Sequence, residues 1–419
     1  MLINFKFANF MSFKEECFFD MSANSDKSHR EQLIDDKYSK AKMIYGANAS
    51  GKTSFIKAID FVRWFVFNSS RMIDGAPISV VPFKFCEQPF ASPSSFAFTF
   101  IKNGKKYYYE FSCTREKVIS EKLDRYDSSK PTNVFERNNV NEYVFRHDVK
   151  TLKEISQKNT ANKLFLVTSA TWNYAETKPV VDFFLNDIMV SYGLNQGWQA
   201  YLSKIRAEGQ SEEFSKFCLD LFNNADISID NFVVEEKKYK DLPQDAVLNS
   251  VISVLMRGDQ NKIEQFDNAS VYNIWINHKI KNEGVEREYQ LNIQEESLGT
   301  IGMFELSTVL YYVLKNGTTF FIDELDRSLH PLLVRYIVNL FFNSKVNINN
   351  AQIVANTHDT NLLDLDLFRR DEIWFTERDY ESGSTIIFPL TDFSPRKDEN
   401  IEKAYLLGRF GAVPFIKGE

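Results

Sequence analysis

The sequence predicts an α/β protein, a P-loop NTPase with an antiparallel β subdomain and a mostly helical insertion. Three observations carry this expectation. The segment GANASGKT spans Gly46–Thr53, aromatic residues alternate on both sides of Asn103-Gly104, and an apolar run at Phe320–Ile322 ends on the acidic pair Asp323-Glu324.

GANASGKT satisfies G-x-x-x-x-G-K-[ST] at every specified position. Gly46 and Gly51 let the backbone curl, so that the N–H groups of Ala47, Asn48, Ala49 and Ser50 can turn toward phosphate oxygens. Lys52 is placed to reach the β- and γ-phosphates, and Thr53 to ligate Mg²⁺. The flanks fit the same reading. AKMIY before the loop reads as a buried strand, and Phe55, Ile56, Ile59, Val62 and Val66 after it keep helical spacing. A helix N-terminus adds free N–H groups and partial positive charge to a phosphate site.

Elsewhere in the first 150 residues the pattern is that of strands. Ile3, Phe5 and Phe7 alternate with Asn4, Lys6 and Ala8, and NFMSFKEECFFDM continues into a second short strand. Residues 22–40 are polar and read as a surface loop. Phe96, Phe98 and Phe100 alternate into the Asn103-Gly104 turn, and Tyr107, Tyr109 and Phe111 alternate out of it, which predicts an antiparallel hairpin that VISEKLDRY and EYVFRHD extend. Simple βα repeats would not carry such a hairpin beside a P-loop. We therefore expect residues 1–150 to hold the first half of the core with this β subdomain, 151–288 a mostly helical insertion, and 289–419 the second half of the core. In the insertion, SEEFSKFCLDLFNN puts Phe214, Phe217, Leu221 and Phe222 on one stripe, suited to packing inside its own lobe.

Composition narrows the function classes. Lys and Arg total 50 against 57 Asp and Glu, a net charge of −7, which argues against a surface built as a whole to hold nucleic acid. A local basic patch stays open. Most of the 38 phenylalanines are expected in the core. Cys17, Cys86, Cys113 and Cys218 lie far apart without C-x-x-C spacing, which reads as reduced thiols rather than disulfides or zinc ligands. The N-terminal residues lack the pattern of a signal peptide, and no apolar run approaches the roughly 18 residues of a membrane span, so a cytoplasmic protein is expected.

In the C-terminal third, a strand delivering Asp323 and Glu324 to its tip suits an NTPase that needs one carboxylate for Mg²⁺ and one for the attacking water. Ser297 and Gly299 open a helix upstream, where a hydroxyl and free N–H groups can meet an anion or simply cap the helix. AQIVANTHD is a further apolar strand, ending at His358. Asp364 and Asp366 form a D-x-D, which we read as part of the head rather than as a nuclease site.

This order of motifs resembles the ABC-type ATPase heads of the SMC, RecF and OLD kind. In that resemblance GANASGKT corresponds to Walker A, SLGT to the signature, FFIDE to Walker B, ELD with Asp326 to the D-loop, and His358 to the switch histidine. Leu298 stands where transporter-type heads have a second glycine, and Thr300 where they have glutamine. FANFMSF, ELDRSLHP, LFRRDEIWF and AYLLGRFGAVPF bring the resemblance closer to RloA-like ATPases and the ATPase subunit of the PARIS anti-phage system.

The resemblance implies ATP and Mg²⁺ as cofactors, held by Lys52, Thr53 and Asp323, with Glu324 orienting water and His358 on the γ-phosphate. It implies an ATP-dependent dimer or larger homo-oligomer in which Ser297 and Gly299 complete a neighbour's site. It also implies a sensor or regulatory subunit of an abortive-infection system that holds and releases a separate effector, for which a Toprim-like nuclease is one form. Residues 359–419 are too few for an appended Toprim domain. A RecF- or SMC-like DNA clamp for repair or recombination is the alternative expectation, and strongly salt-dependent DNA binding would mark it. AYLLGRFGAVPF is expected to pack on the head.

Overall fold

The computed structural model describes residues 1–88, 90–193, 202–203, 205–206, 211–227, 229–241, 264, 266–282, 284–327, 329–396 and 399–413. Contacts divide the chain into two compact units, Met1–Gly193 with Val313–Glu419, and Leu194–Tyr312.

The first unit opens with β1 (Leu2–Ala8) and β2 (Cys17–Asp20), followed by the two-residue strands β3 (Leu33–Ile34) and β4 (Tyr38–Ser39), β5 (Ala41–Tyr45) and helix α1 (Lys52–Ser69). Five antiparallel strands come next: β6 (Ser94–Lys102), β7 (Lys105–Cys113), β8 (Val118–Tyr126), β9 (Pro131–Asn138) and β10 (Glu142–Val144). Together with β1 and β2 they make a seven-stranded sheet in the order β10-β9-β8-β7-β6-β1-β2. The β6–β7 turn is the expected Asn103-Gly104, both residues at positive φ (52° and 72°), as a two-residue hairpin with right-handed strand twist requires.

The second sheet of this unit gathers strands distant in sequence. β11 (Ile188–Ser191), β15 (Thr319–Ile322), β16 (Gln352–Asn356), β5 and β17 (Ile373–Arg378) run parallel, and β18 (Thr385–Pro389) closes the edge antiparallel to β17. Every residue of β5, β15 and β16 is buried. Near-continuous apolar runs of this kind belong to parallel strands covered on both faces.

α1 is bound into the core on several sides. Phe55, Ile56, Ile59, Val62 and Val66 are all buried, as their spacing predicted, and Phe61 and Phe65 are buried too. Phe55 meets Phe5 and Phe19, Phe61 meets Phe10 and Phe96, and Phe65 meets Phe111. The same apolar cluster reaches Phe321, Val354 and Trp374 of the second sheet. The abundant phenylalanines thus fill the space between the antiparallel sheet and the helix that starts at the P-loop.

Two expectations need correction. Residues 22–40 are not a plain surface loop: Ser39, Lys40 and Gln32 are buried, and the segment is fastened by Arg369, whose guanidinium donates to the carbonyls of Asp26 and Ser28. The mostly helical reading of 151–288 leaves out strands. β11 belongs to the core sheet of the first unit, and the second unit holds the antiparallel sheet β12 (Asn231–Lys238), β13 (Ser270–Asn282) and β14 (Val285–Asn292). Tyr272, Ile274 and Ile276 are buried at alternate positions of β13, a period-two signal masked by the surrounding polar residues. The helix Ser211–Asn224 forms where its stripe predicted, and Phe214 and Phe222 pack on Phe232 and Phe304 of the same unit.

All four cysteines are free. No helix among the described residues is long and apolar enough to cross a membrane.

Candidate functional site

β5 ends at Tyr45 and the chain turns through the P-loop into α1. The two glycines are required by close approach. A Cβ at Gly46 would lie 2.5 Å from the carbonyl and hydroxyl oxygens of Thr376, and one at Gly51, where φ is 110°, would lie 2.4 Å from Thr385 Oγ1. β17 and β18 thus brace the loop from behind. Ser50 Oγ lies 2.7 Å from Thr376 Oγ1, and Thr385 donates its hydroxyl to the carbonyl of Ser50 at 2.9 Å. Neither threonine was singled out in the sequence, because nothing local marks a residue whose role is to abut a loop over 300 positions away.

Lys52 is buried, and its ammonium donates to the carbonyls of Gly46 at 2.6 Å and Ala47 at 3.0 Å. Burial holds its pKa down at about 8, against the opposing pull of Asp323, Asp326 and Glu324. Thr53 donates its hydroxyl to the Asp323 carboxylate at 2.9 Å, joining residues 270 positions apart. Asp323 is itself buried and its backbone N–H bonds the carbonyl of Ser191 on β11.

Glu324 follows at the tip of β15 with φ 53°, a left-handed conformation that costs a non-glycine residue about 1 kcal/mol or more. Asn356, buried at the tip of β16, stabilises it by accepting the Glu324 N–H at 2.8 Å, and its own carbonyl accepts from Leu325 at 3.1 Å. Sequence reasoning passed over Asn356, although its place two residues before His358 at the end of an apolar strand was visible. Asp326 accepts the backbone N–H of His358 at 3.2 Å. The His358 imidazole is held below its ordinary pKa, first by burial and then by the charge of Lys52, which favours the neutral ring.

Lys52, Thr53, Asp323, Glu324 and His358 line one cleft of ≈ 500 Å³, together with Asn48, Ala49, Ser50 and Gly51. The rest of its lining, which includes Met11, Ser12, Val81, Pro82, Lys84, Phe85 and Arg378, was not anticipated. The donor set suits a nucleoside triphosphate with Mg²⁺: a buried ammonium bonded only to carbonyls, and a hydroxyl and carboxylate 2.9 Å apart on one side of the loop.

Ser297 and Gly299 belong to the second unit, both exposed at the start of the helix Leu298–Asn316. Ser297 Oγ accepts the N–H of Thr300 at 3.1 Å, an N-cap bond, and Leu298 beside it is 87% exposed. The D-x-D pair lies in the head as expected. Asp364 accepts from Arg335 at 2.7 Å, and among the described residues no acidic or histidine cluster is arranged to hold a metal ion.

These features define an α/β P-loop protein whose core sheet brings a phosphate-binding loop and an acidic strand tip into one cleft. The chain belongs to the family described as "AAA domain, putative AbiEii toxin, Type IV TA system", which matches residues 43–364. Its domain is therefore of ATPase type. Among solved structures it is similar to the SMC head domain from Thermotoga maritima (15% identity, 93% of this chain and 98% of that one, TM-score 0.40). It is also similar to the Smc head with an extended coiled coil, bound to the C-terminal domain of ScpA, from Pyrococcus furiosus (12% identity, 98% of each chain, TM-score 0.43). No curated protein sequence matches it.

Proposed function

We propose that the chain binds and hydrolyses ATP with Mg²⁺, and that this cycle governs its assembly with a second copy and with a separate effector. The observation that carries the proposal is the Thr53–Asp323 bond at 2.9 Å, which draws the end of the P-loop and the acidic strand tip together in the cleft that Lys52, Glu324 and His358 also line.

In this reading the N–H groups from Ala47 to Gly51 and the Lys52 ammonium bind the triphosphate. Thr53 and Asp323 hold Mg²⁺, which when bound supplies charge neutralisation to the transferred phosphoryl group. Glu324 orients a water for in-line attack and takes up its proton through the carboxylate. His358 donates a hydrogen bond toward the γ-phosphate from its neutral ring, and Asp326 keeps its backbone in place. Ser297 and Gly299 act on the nucleotide of a neighbouring copy, so that ATP joins two chains and hydrolysis releases them.

The role of this cycle is that of a sensor or regulatory subunit in an anti-phage, abortive-infection system of the RloA-like or PARIS kind. The family's description, "putative AbiEii toxin, Type IV TA system", supports an association with toxin–antitoxin systems and does not speak to a regulatory role. The chemistry that harms the cell or the invader belongs to the effector.

The test is light scattering of the chain, alone and co-purified with the product of its neighbouring gene, with and without ATP. A nucleotide-dependent mass that includes the neighbour supports the proposal. A chain that ignores its neighbour and instead closes on duplex DNA when ATP is added would establish the DNA-clamp function.

A further inference from the structure

We propose that Phe85 is the platform on which the base of the bound nucleotide stacks, an inference that rests on reading the P-loop cleft as a nucleoside triphosphate site. The lining of the cleft is mixed, with polar and charged groups beside the apolar side chains of Met11, Val81, Pro82 and Phe85. Lys52, Thr53 and Asp323 meet charge and metal, whereas Phe85 is the one Phe, Tyr or Trp side chain among the described residues that line the cleft.

The ring is held in orientation without being covered. Phe85 is 64% exposed, while Phe83 two residues earlier is buried at 1%. Phe83 packs edge-on at 5.7 Å between centroids, and the Arg378 guanidinium lies over the ring at 5.3 Å. Gly383, in the turn between β17 and β18, leaves the space the ring occupies: with φ at 67°, a Cβ there would come within 3.1 Å of Phe85 Cδ2. The segment behind the ring is pinned, since Asn9 Oδ1 accepts the N–H of Phe83 at 3.1 Å. A large apolar face fixed on three sides and left open on the wall of a binding cleft suits a flat aromatic ligand. The guanidinium over one face of the ring is itself a cation–π contact, which leaves the other face for a base.

Stacking reads the face of a base and not its edge, so every nucleobase should gain from it. The experiment is calorimetric titration of the full chain with Mg²⁺ and ATP, GTP or inorganic tripolyphosphate, which has phosphates but no base. Phe85→Ala is expected to weaken ATP and GTP by roughly 5- to 150-fold and to leave tripolyphosphate unchanged. Phe85→Tyr should retain wild-type affinity for all three, and Phe85→Leu, which keeps apolar bulk without a π-face, should behave as Phe85→Ala. Equal weakening of all three ligands, or no weakening of ATP, overturns the inference. If the wild-type chain binds neither ATP nor tripolyphosphate, the P-loop reading itself fails.

Discussion

Asn356 at the tip of β16 accepts the backbone N–H of Glu324 at the tip of β15, 2.8 Å away, and so holds the candidate general base in a left-handed backbone conformation. Two adjacent parallel strands thereby fix the backbone that carries one carboxylate, and Asn356 is not among the residues that line the cleft.

From this bond we expect Asn356→Ala to lower kcat about tenfold or more while ATP affinity changes little, because a small misplacement of a catalytic group is costly and binding groups are untouched. The orphaned N–H should also cost about 1–3 kcal/mol of stability. Steady-state kinetics with a denaturation series checks both. Equal changes in kcat and KM would point to general damage of the cleft.

Glu324→Gln keeps shape and removes the carboxylate. Hydrolysis should fall by roughly 10²–10⁴-fold, with ATP binding intact, and the ATP-bound assembly should persist for as long as nucleotide is present. Single-turnover hydrolysis and size-exclusion chromatography read the two effects. Wild-type turnover in this variant would remove Glu324 from the mechanism.

The pKa of Lys52, held at about 8 by burial, gives nucleotide binding a pH dependence. Phosphate favours the charged ammonium. Binding therefore requires proton uptake once the free lysine has begun to lose its proton. Affinity for ATP should be flat below about pH 7.5 and decline by up to tenfold per pH unit above 8. Lys52→Arg, which stays charged, should lose the decline. Titrations from pH 6.5 to 9.5 measure it.

LFRRDEIWF works as a fastening and not as part of the cleft. Arg369 is fully buried, with its Nε 3.0 Å from Asp371 Oδ1, and Lys42 on β5 donates to the carbonyl of Asp371 at 2.7 Å. Removing the guanidinium takes the ion-pair partner from Asp371, which keeps the N–H of Asn24 and the field of Lys42, so Arg369→Ala should destabilise by about 3 kcal/mol in a denaturation series.

Glu372 beside it is pushed up to about 8, first by burial and then by Asp371, against Lys42 and Arg369 and the N–H of Arg369. An acid with a raised folded pKa favours the folded state below its unfolded value near 4.5, and that contribution is lost as pH rises to about 8. Thermal stability should fall between pH 5 and 8, and Glu372→Gln should flatten the slope. A slope unchanged in the variant would assign it to other groups.

Much of the nucleotide half of this molecule was legible because its chemistry is local. Gly46, Gly51, Lys52 and Thr53 sit in eight consecutive residues, and Asp323-Glu324 ends an unbroken apolar strand. What escaped is what depends on distant parts of the chain meeting. Thr376 and Thr385 matter only because the sheet order sets β17 beside β5. Phe85 reads as one aromatic among many until it is seen uncovered on a cleft wall. β12–β14 were hidden because their alternation is weak: in β14 Val285, Tyr289 and Leu291 alternate with polar residues but Arg287 interrupts them, and the strand is exposed along nearly its whole length. Of the C-terminal AYLLGRFGAVPF, read as packed on the head, Tyr405 and Phe410 both stack on Phe375, and Pro414 and Phe415 lie outside the described residues.

The central claim, that ATP is hydrolysed in sites shared between copies, is tested most directly by mixing two inactive variants. Lys52→Ala should abolish nucleotide binding to its own P-loop, and Ser297→Arg should block the half-site offered to a neighbour. Each alone should hydrolyse ATP at background. Mixed in equal amounts, they should recover a substantial fraction of wild-type activity, because one shared site in a mixed pair then has both halves intact. Full activity of Ser297→Arg alone, or a mixture that stays at background although the two chains associate, would contradict the account.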